Sequence, residues 1–272
     1  MIDKLGNRMK EFYEDRTRYK LPRRTNIIIR VDGKAFHTYT RGLMRPFDKG
    51  IMEDMNATAE FLCKNIQGAK FAYVQSDEIS IFMSDYDTIS TDMWFDGNVQ
   101  KMTSIAASLA TVEFNRLRLV REMDHSSKDW SSWDLKTNFK SAMFDARVFT
   151  IPSIVEVENY FVWRQQDATR NSISSVAQSL YSHKELNGKS TKEMQEMIFQ
   201  KGINWNDYTP REKRGGLIRK IQKEFLITAN GPEHKIENKK GDSYIRNVWE
   251  CDAETPIFSQ NKEYLREFFP YE

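Results

Sequence analysis

Two cysteines in 272 residues, Cys63 and Cys251, leave no disulfide framework and no sulfur-based zinc site, and the four histidines show no ligand spacing. Such a chain suits a reducing compartment, and a cytoplasmic location is the expectation. Long apolar runs are missing too: uncharged stretches such as TSIAASLATV at 103–112 are short, and the opening MIDKLGNRMKEFYEDR is charged throughout. Neither a membrane span nor a signal-peptide core is expected. An excess of one charge is also lacking, since 41 basic residues stand against 39 acidic ones. A polyanion would have to be held by clustered rather than abundant charge. Without internal repeats, low-complexity tracts or long linkers, the chain reads as one cooperative unit with ample material for a buried core.

What is there is a regular alternation. Leu5, Met9, Phe12 and Tyr13 stand at helical spacing and predict an amphipathic helix packed on the body. After the basic RTRYKLPRR, the β-branched Ile27, Ile28 and Ile29 predict a buried central strand ending at a glycine turn. Asp48 is placed to cap a helix with the apolar stripe Ile51, Met55, Ala59, Leu62 and Ile66, ending near Gly68. AKFAYVQSDEISIFMS at 69–84 reads as two strands joined through QSDE. A second helix from about Asn98 to Arg121 turns Met102, Ile105, Ala106, Leu109 and Val112 to one face, and AMFDARVFTIP at 142–152 predicts a fourth strand stopped by Pro152. The order β, α, β, β, α, β predicts an α+β, palm-like fold: a ferredoxin-like antiparallel sheet with helices on one face and the other face open for substrate. A palm-like catalytic domain would span 1–150, and past that soft boundary 151–272 predict a mainly helical C-terminal lobe and a tail with strand-like patches such as SYIRNVWE.

Asp32 ends the first strand and Gly33 follows it, so the backbone can approach a ligand where a side chain would obstruct. Asp77 and Glu78 sit at the tip of the neighbouring hairpin. A hard cation such as magnesium takes carboxylate, carbonyl and phosphate oxygens in an octahedron, and Asp32, the Gly33 carbonyl and Asp77 form a reasonable protein share. Two such ions would align attacking and leaving oxygens for phosphoryl displacement. Glu78 points to the opposite side of its strand and is read as tuning the site, which makes Asp32, Asp77 and Glu78 the candidate catalytic residues. The plain alternative is that D-G and S-D-E are ordinary turns. Against it, both acidic tips fall on adjacent central strands, and both follow apolar runs that would bury a carboxylate at a sheet end. His37 reads equally as a loop residue near a nucleotide or as a hydrogen-bonded structural histidine. The basic runs Arg16–Arg24 and Arg211–Lys223 are solvated faces or, in a protein that holds RNA, phosphate contacts, with Tyr19, Trp205 and Tyr208 available to stack on a base.

The ordered series RVDGKAFH (30–37), RPFD (45–48), YVQSDEIS (73–80), the helix start containing Lys101, FDARVF (144–149) and WRQQDATRNSI (163–173) resembles the tRNA-His guanylyltransferase family and its Thg1-like relatives, the 3′-to-5′ nucleotide-adding polymerases. The resemblance implies a palm domain with two magnesium ions at Asp32, Gly33 and Asp77, ATP and GTP or other nucleoside triphosphates as substrates, and tRNA as partner. It implies a nucleotide cradle of Asp32, Gly33, Lys34, Ala35, Phe36 and His37 with Ser76 and Asp77, triphosphate contacts from Arg45 and Lys101, and a base near Asp48. Asn171, Lys184, Arg211 and Arg214 are the expected RNA contacts, and a homo-tetramer is the expected assembly. Where eukaryotic members carry a histidine followed by an asparagine pair, this chain has Thr169, Arg170, Asn171 and Ser172, the form of bacterial and archaeal-type relatives. The implied task thereby shifts from adding one guanylate to tRNA-His toward template-dependent repair of 5′-truncated tRNAs. A palm-fold nucleotide cyclase, whose Gly-Gly-acidic-Glu-Phe hairpin is absent, and a non-catalytic RNA-binding module are the alternatives.

Overall fold

Among the described residues, the first apolar stripe meets no surface. The structure, a computed structural model, describes residues 3–125, 140–228, 231–234 and 243–270. Its opening helix α1 (Lys4–Met9) runs on through a π-helical turn at Lys10–Glu14, yet Leu5 is 61% and Tyr13 68% exposed. The expected helix packed on the body is therefore corrected: the stripe forms, but among the described residues no element covers it. The basic run that follows is largely tied down. Lys20 pairs with Asp96, Arg23 with Asp92 at 3.0 Å, and Arg24 donates to the Thr88 carbonyl at 2.7 Å.

The isoleucine run becomes β1 (Asn26–Gly33), and a short α2 (Phe36–Tyr39) leads to α3 (Lys49–Asn65), capped by Asp48 as its position predicts. β2 (Ala69–Gln75) and β3 (Glu78–Met83) form the hairpin, α4 (Val99–His125) crosses back, and β4 (Phe144–Ile151) completes the palm strands. All pairings are antiparallel, and the strand order β4-β1-β3-β2 is the ferredoxin-like one. Beyond β4 come the long α5 (Ile154–Leu180), α6 (His183–Leu186), α7 (Thr191–Gln200) and α8 (Pro210–Arg214). Then β5 (Gly216–Thr228), β6 (Gly231–His234) and β7 (Ser243–Asp252) widen the sheet to seven strands, before a last turn α9 (Glu263–Arg266). The second half is thus mainly helical only to Arg214, and its strands join the palm sheet through the pairing of β5 with β2.

Strand alternation divides the core into two layers. Ile27, Ile29, Val31, Val74 and Ile81 face α3 and α4, where Met55, Leu62, Met102 and Phe114 are fully buried. Ile28, Phe71, Tyr73 and Phe82 face the other way, against Val157 and Phe161 of α5 and Phe258 and Leu265 near the C-terminus. Each such side chain contributes roughly 1.5–3 kcal/mol by leaving water. The face expected to be open is therefore covered, and substrate space is confined to the end of the sheet where β1 stops and the hairpin turns. The far half of α5 leaves the sheet: Ile173, Val176 and Ala177 pack with Leu186 and Ile198 into a separate helical cluster. Trp205 and Tyr208, considered as base-stacking groups, are used there, Trp205 donating to Ser172 at 3.1 Å and Tyr208 meeting the Phe47 ring edge-on at 5.3 Å.

Candidate active site

Main chain alone brings the two aspartates together. Asp32 lies opposite Glu78 in the β1–β3 register, and one residue on, the Gly33 N–H donates to the Asp77 carbonyl at 3.0 Å. The hairpin can turn through two residues because Ser76 adopts a left-handed conformation, φ 48°. Gly33 is required for a reason other than ligand approach. A Cβ there would stand 2.3 Å from the Phe36 ring, which packs with Tyr39, Phe114 and Phe144 at centroid separations of 5.0 to 5.5 Å. Phe36 is thereby a core residue, and any part it has in a nucleotide cradle falls to its backbone. Ala35 precedes it in a left-handed conformation, φ 53°, a strained choice for a residue with a Cβ and of the kind concentrated at functional loops.

Glu78 is buried and fully countered. Arg164 of α5 grips it with two parallel bonds, Nε to Oε1 at 2.7 Å and Nη2 to Oε2 at 2.5 Å, and Arg30 adds a third contact at 2.6 Å. Ser80 donates to the same carboxylate at 3.1 Å. Burial pushes the Glu78 carboxyl up, while Arg164 and then Arg30 push it back down. Both Glu78 carboxylate oxygens are thus engaged by guanidinium groups. Arg30 also touches Asp32 Oδ2 at 3.1 Å, because residues two apart on a strand share a face.

Asp77, one peptide bond away, has the opposite electrostatics. Among the described residues no cationic side chain stands within ion-pair distance of it. Its carboxyl is pushed up, first by burial and also by the Asp32 and Glu78 charges, against the pull of its own backbone N–H and Ser76. The group needs positive charge that the fold does not supply. No three carboxylate, histidine or cysteine side chains converge among the described residues, so the side-chain share of any metal site is a pair. Asp32 and Asp77 with the Gly33 carbonyl fit magnesium on that count: hard oxygen donors, few of them, leaving positions for water and phosphate.

Two cavities meet at this tip. The larger, about 540 Å³, takes in Gly33, Ala35, His37, Arg45, Asp48 and Asn171. The smaller, about 380 Å³, opens on Arg30, Asp32, Glu78, Arg164 and Asp167. Ser76, Asp77, Asn171, Ser175 and Gln178 line both. Asp48 has its oxygens occupied by the Ile51 and Met44 N–H groups at 2.9 and 3.2 Å, so it shapes the cavity wall. Lys34 is exposed outside both cavities, as is Lys184 on α6. Arg214 also lies outside them and receives the Tyr73 hydroxyl on its carbonyl.

Lys101 is not at this site. The Val99 N–H donates to Tyr19 at 3.0 Å, at the end of the molecule where β1 begins, whereas Thr111 accepts from Phe144, the residue paired with Gly33. Ten residues separate positions 101 and 111, about 15 Å along the helix axis. Arg211, expected on RNA, is buried in the wall of the larger cavity.

A model of the tRNAHis guanylyltransferase family matches residues 6–152, more than half of the chain and the whole of the palm. The chain belongs to the tRNAHis guanylyltransferase family. Two solved structures extend the likeness past the palm. A bacterial Thg1-like protein in complex with ATP is 40% identical, with 97% of this chain and 98% of that one covered at a TM-score of 0.78. One in complex with GTP is 39% identical, with 98% and 99% covered at 0.74. The tRNA(His) guanylyltransferase of Debaryomyces hansenii is 26% identical over 80% of this chain and 81% of its own. The chain is accordingly a guanylyltransferase-like nucleotidyltransferase with a palm-like fold.

The guanylyltransferase palm carries Asp32, Asp77 and Glu78, but α5 and α8, which close the site, lie past residue 152. Arg164, Asp167, Ser175 and Gln178 were not singled out from sequence. Arg164 had a signal, its place in WRQQDATRNSI, but its partner is 86 positions away and only the fold joins them.

Proposed function

We propose that this protein is a magnesium-dependent nucleotidyltransferase that activates a tRNA 5′ end and extends it in the 3′-to-5′ direction, copying a template strand to repair truncated tRNAs. The observation that carries the reading is the tip itself: two aspartates held together by main chain, one without a cation, at the junction of two cavities. Relatives named for ATP, GTP and tRNA(His) supply the substrate classes. A 5′-monophosphate attacks the α-phosphorus of ATP and displaces pyrophosphate, leaving an adenylylated end. The 3′-hydroxyl of an incoming nucleoside triphosphate then attacks the 5′-phosphorus, a P–O bond forms, and AMP departs; a 5′-triphosphate end loses pyrophosphate instead. Magnesium at Asp32, the Gly33 carbonyl and Asp77 would supply charge neutralisation at the transferred phosphoryl group. The chain's own work is positioning. The β1–hairpin junction fixes the spacing of the aspartates, Arg45 offers a cation at the mouth of the larger cavity, and Asn171, Ser175 and Gln178 stand where the contents of the two cavities meet.

Templated repair is favoured over single guanylate addition by what replaces the histidine motif. Thr169 bonds back to Gln165 at 3.0 Å, Arg170 pairs with Asp167 at 2.9 Å, and Ser172, in the wall of the larger cavity, bonds to the Lys213 carbonyl at 3.1 Å, so of the four Asn171 alone lines both cavities. The test is incubation with ATP, GTP, magnesium and 5′-truncated tRNAs carrying either mono- or triphosphate ends. Extension that follows the templating base supports the proposal, addition of one guanylate to tRNA-His alone supports the single-addition reading, and no extension of any end sinks both. GTP supplied alone separates a cyclase by its product. A homo-tetramer in the cytoplasm is proposed for the assembly, checked by sedimentation; among the described residues no helix is long and apolar enough to cross a membrane.

A further inference from the structure

Arg211 is 8% exposed and lines the larger cavity. Its Nε and Nη2 both donate to one neutral acceptor, Asn56 Oδ1, at 3.1 and 2.7 Å. The Cys251 thiol and the Tyr73 ring lie beside it, burial pushes the guanidinium below its usual range, and among the described residues no carboxylate stands within ion-pair distance. A buried cation left without a counter-charge is strongly unfavourable. The chain's other buried arginines obey that rule: Arg164 holds Glu78, and Arg118 holds Asp54 at 3.0 Å. Neighbouring Glu212 does not serve, since its carboxylate caps Thr209, taking the backbone N–H at 2.9 Å and the hydroxyl at 2.7 Å.

The side chain is also held in place. A Cβ at Gly216 would lie 2.9 Å from Arg211 Cδ and 2.8 Å from the Cys251 sulfur, so glycine there makes room for the guanidinium. Its position relative to the aspartates follows from register. The Gly215 N–H donates to the Arg211 carbonyl at 3.0 Å, Gly216 pairs with Val74, and Val74 stands three residues before Asp77 on the same hairpin. Arg211 thus sits in the wall on the side of the cavity that leads to the proposed magnesium ligands.

We propose that Arg211 is an anion-binding residue for the phosphate chain of the nucleoside triphosphate in this cavity, and not a contact for tRNA; this rests on the nucleotide reading above. A guanidinium offers a fork of donors that matches phosphate oxygens, and the wall around it excludes water that would weaken the contact. The ligand brings the charge that the fold withholds.

The test is calorimetric binding of ATP, GTP and inorganic tripolyphosphate, each with magnesium, to wild type, Arg211→Met and Arg211→Gln, with the melting temperature of each ligand-free protein. Both variants are expected to bind all three probes about ten- to hundredfold more weakly, the worth of a charge-assisted hydrogen bond. Ligand-free Arg211→Met should melt no lower than wild type, because an apolar side chain replaces an uncompensated charge. Loss confined to GTP would put Arg211 on the base and overturn the proposal. So would unchanged affinities, and so would a lowered melting temperature with affinities intact. Should Arg211→Met fail to fold, Arg211→Gln decides alone, since it keeps a donor for Asn56 and removes only the charge. Wild type that binds none of the probes overturns the nucleotide reading as well; wild-type binding with unaltered variants overturns only this one.

Discussion

The two walls of the site treat buried charge in opposite ways. On the α5 side, Glu78 is closed off by Arg164 and Arg30, and nothing further is asked of a ligand. On the other side, Asp77 has no cation and Arg211 no carboxylate among the described residues, although each is largely withdrawn from water. A charge that the fold compensates belongs to stability, and one that it leaves open belongs to what binds. Substitutions on the first wall should therefore unfold the protein, and substitutions on the second should silence it while it stays folded.

The largest expected effect tests the open side. Asp77→Ala should bring 5′-extension to background at every magnesium concentration while circular dichroism and melting temperature hold or improve, since a carboxyl resisting ionisation is removed. A melting temperature that falls as activity does would erase the distinction between the walls. Next comes the closed side: Arg164→Met leaves Glu78 buried with one guanidinium instead of two, and denaturant unfolding should record a loss of about 3–5 kcal/mol. Pairing it with Glu78→Gln should recover much of that, and no recovery would mean that Arg164 acts through packing alone. Gly33→Ala is a smaller probe at the seam between the walls. The new methyl meets the Phe36 ring, and overpacking of this kind costs about 1–3 kcal/mol. Extension should fall with it, because the same backbone fixes the Gly33 to Asp77 bond. The mildest test reaches Arg164 through its helix: Ser153→Ala removes the cap that accepts from the Glu156 N–H at 3.3 Å, for about 1 kcal/mol. Activity at low temperature should be unaltered.

Legibility in the sequence followed the size of the signal. β1, the β2–β3 hairpin and α3 could be read because apolar runs of the right length stop at D-G, S-D-E and Gly68. α4 was read as a helix with its buried face half right, since Met102 and Ala106 of the expected stripe are fully buried. Ile105 and Val112 were also expected inside and are 39% and 66% exposed, while Ala110 and Phe114, not in that stripe, are fully buried. Met102, Ala106, Ala110 and Phe114 step by four along the buried face, but its two alanines weigh little beside isoleucine, so a stripe judged by hydrophobicity drifts toward the larger residues. β7 showed in part, as the strand-like SYIRNVWE, whereas β5 was hidden because lysine, arginine and glutamate interrupt the apolar residues that follow its buried Leu217 and Ile218. Lys101 was read correctly at the start of its helix but was expected on the triphosphate; β3 starts at the hairpin tip and ends at the far side, so the helix that follows starts there, away from the tip. Of the candidate site, Asp32, Asp77 and Glu78 were legible as short acidic motifs. Their unequal electrostatics were not, since those depend on Arg164, which no local pattern connects to Glu78.

The Gly33 to Asp77 bond has a meaning beyond holding the tip together. Because backbone atoms span the gap, the distance between the two aspartates is indifferent to almost every side-chain exchange in the cavities around them; proline at position 33, which removes the N–H, is an exception. The lining can be rewritten for a different nucleotide, template or RNA end while the spacing of the acidic pair is inherited unchanged. In engineering terms, the tip is a fixed gauge into which new specificities can be fitted one wall at a time.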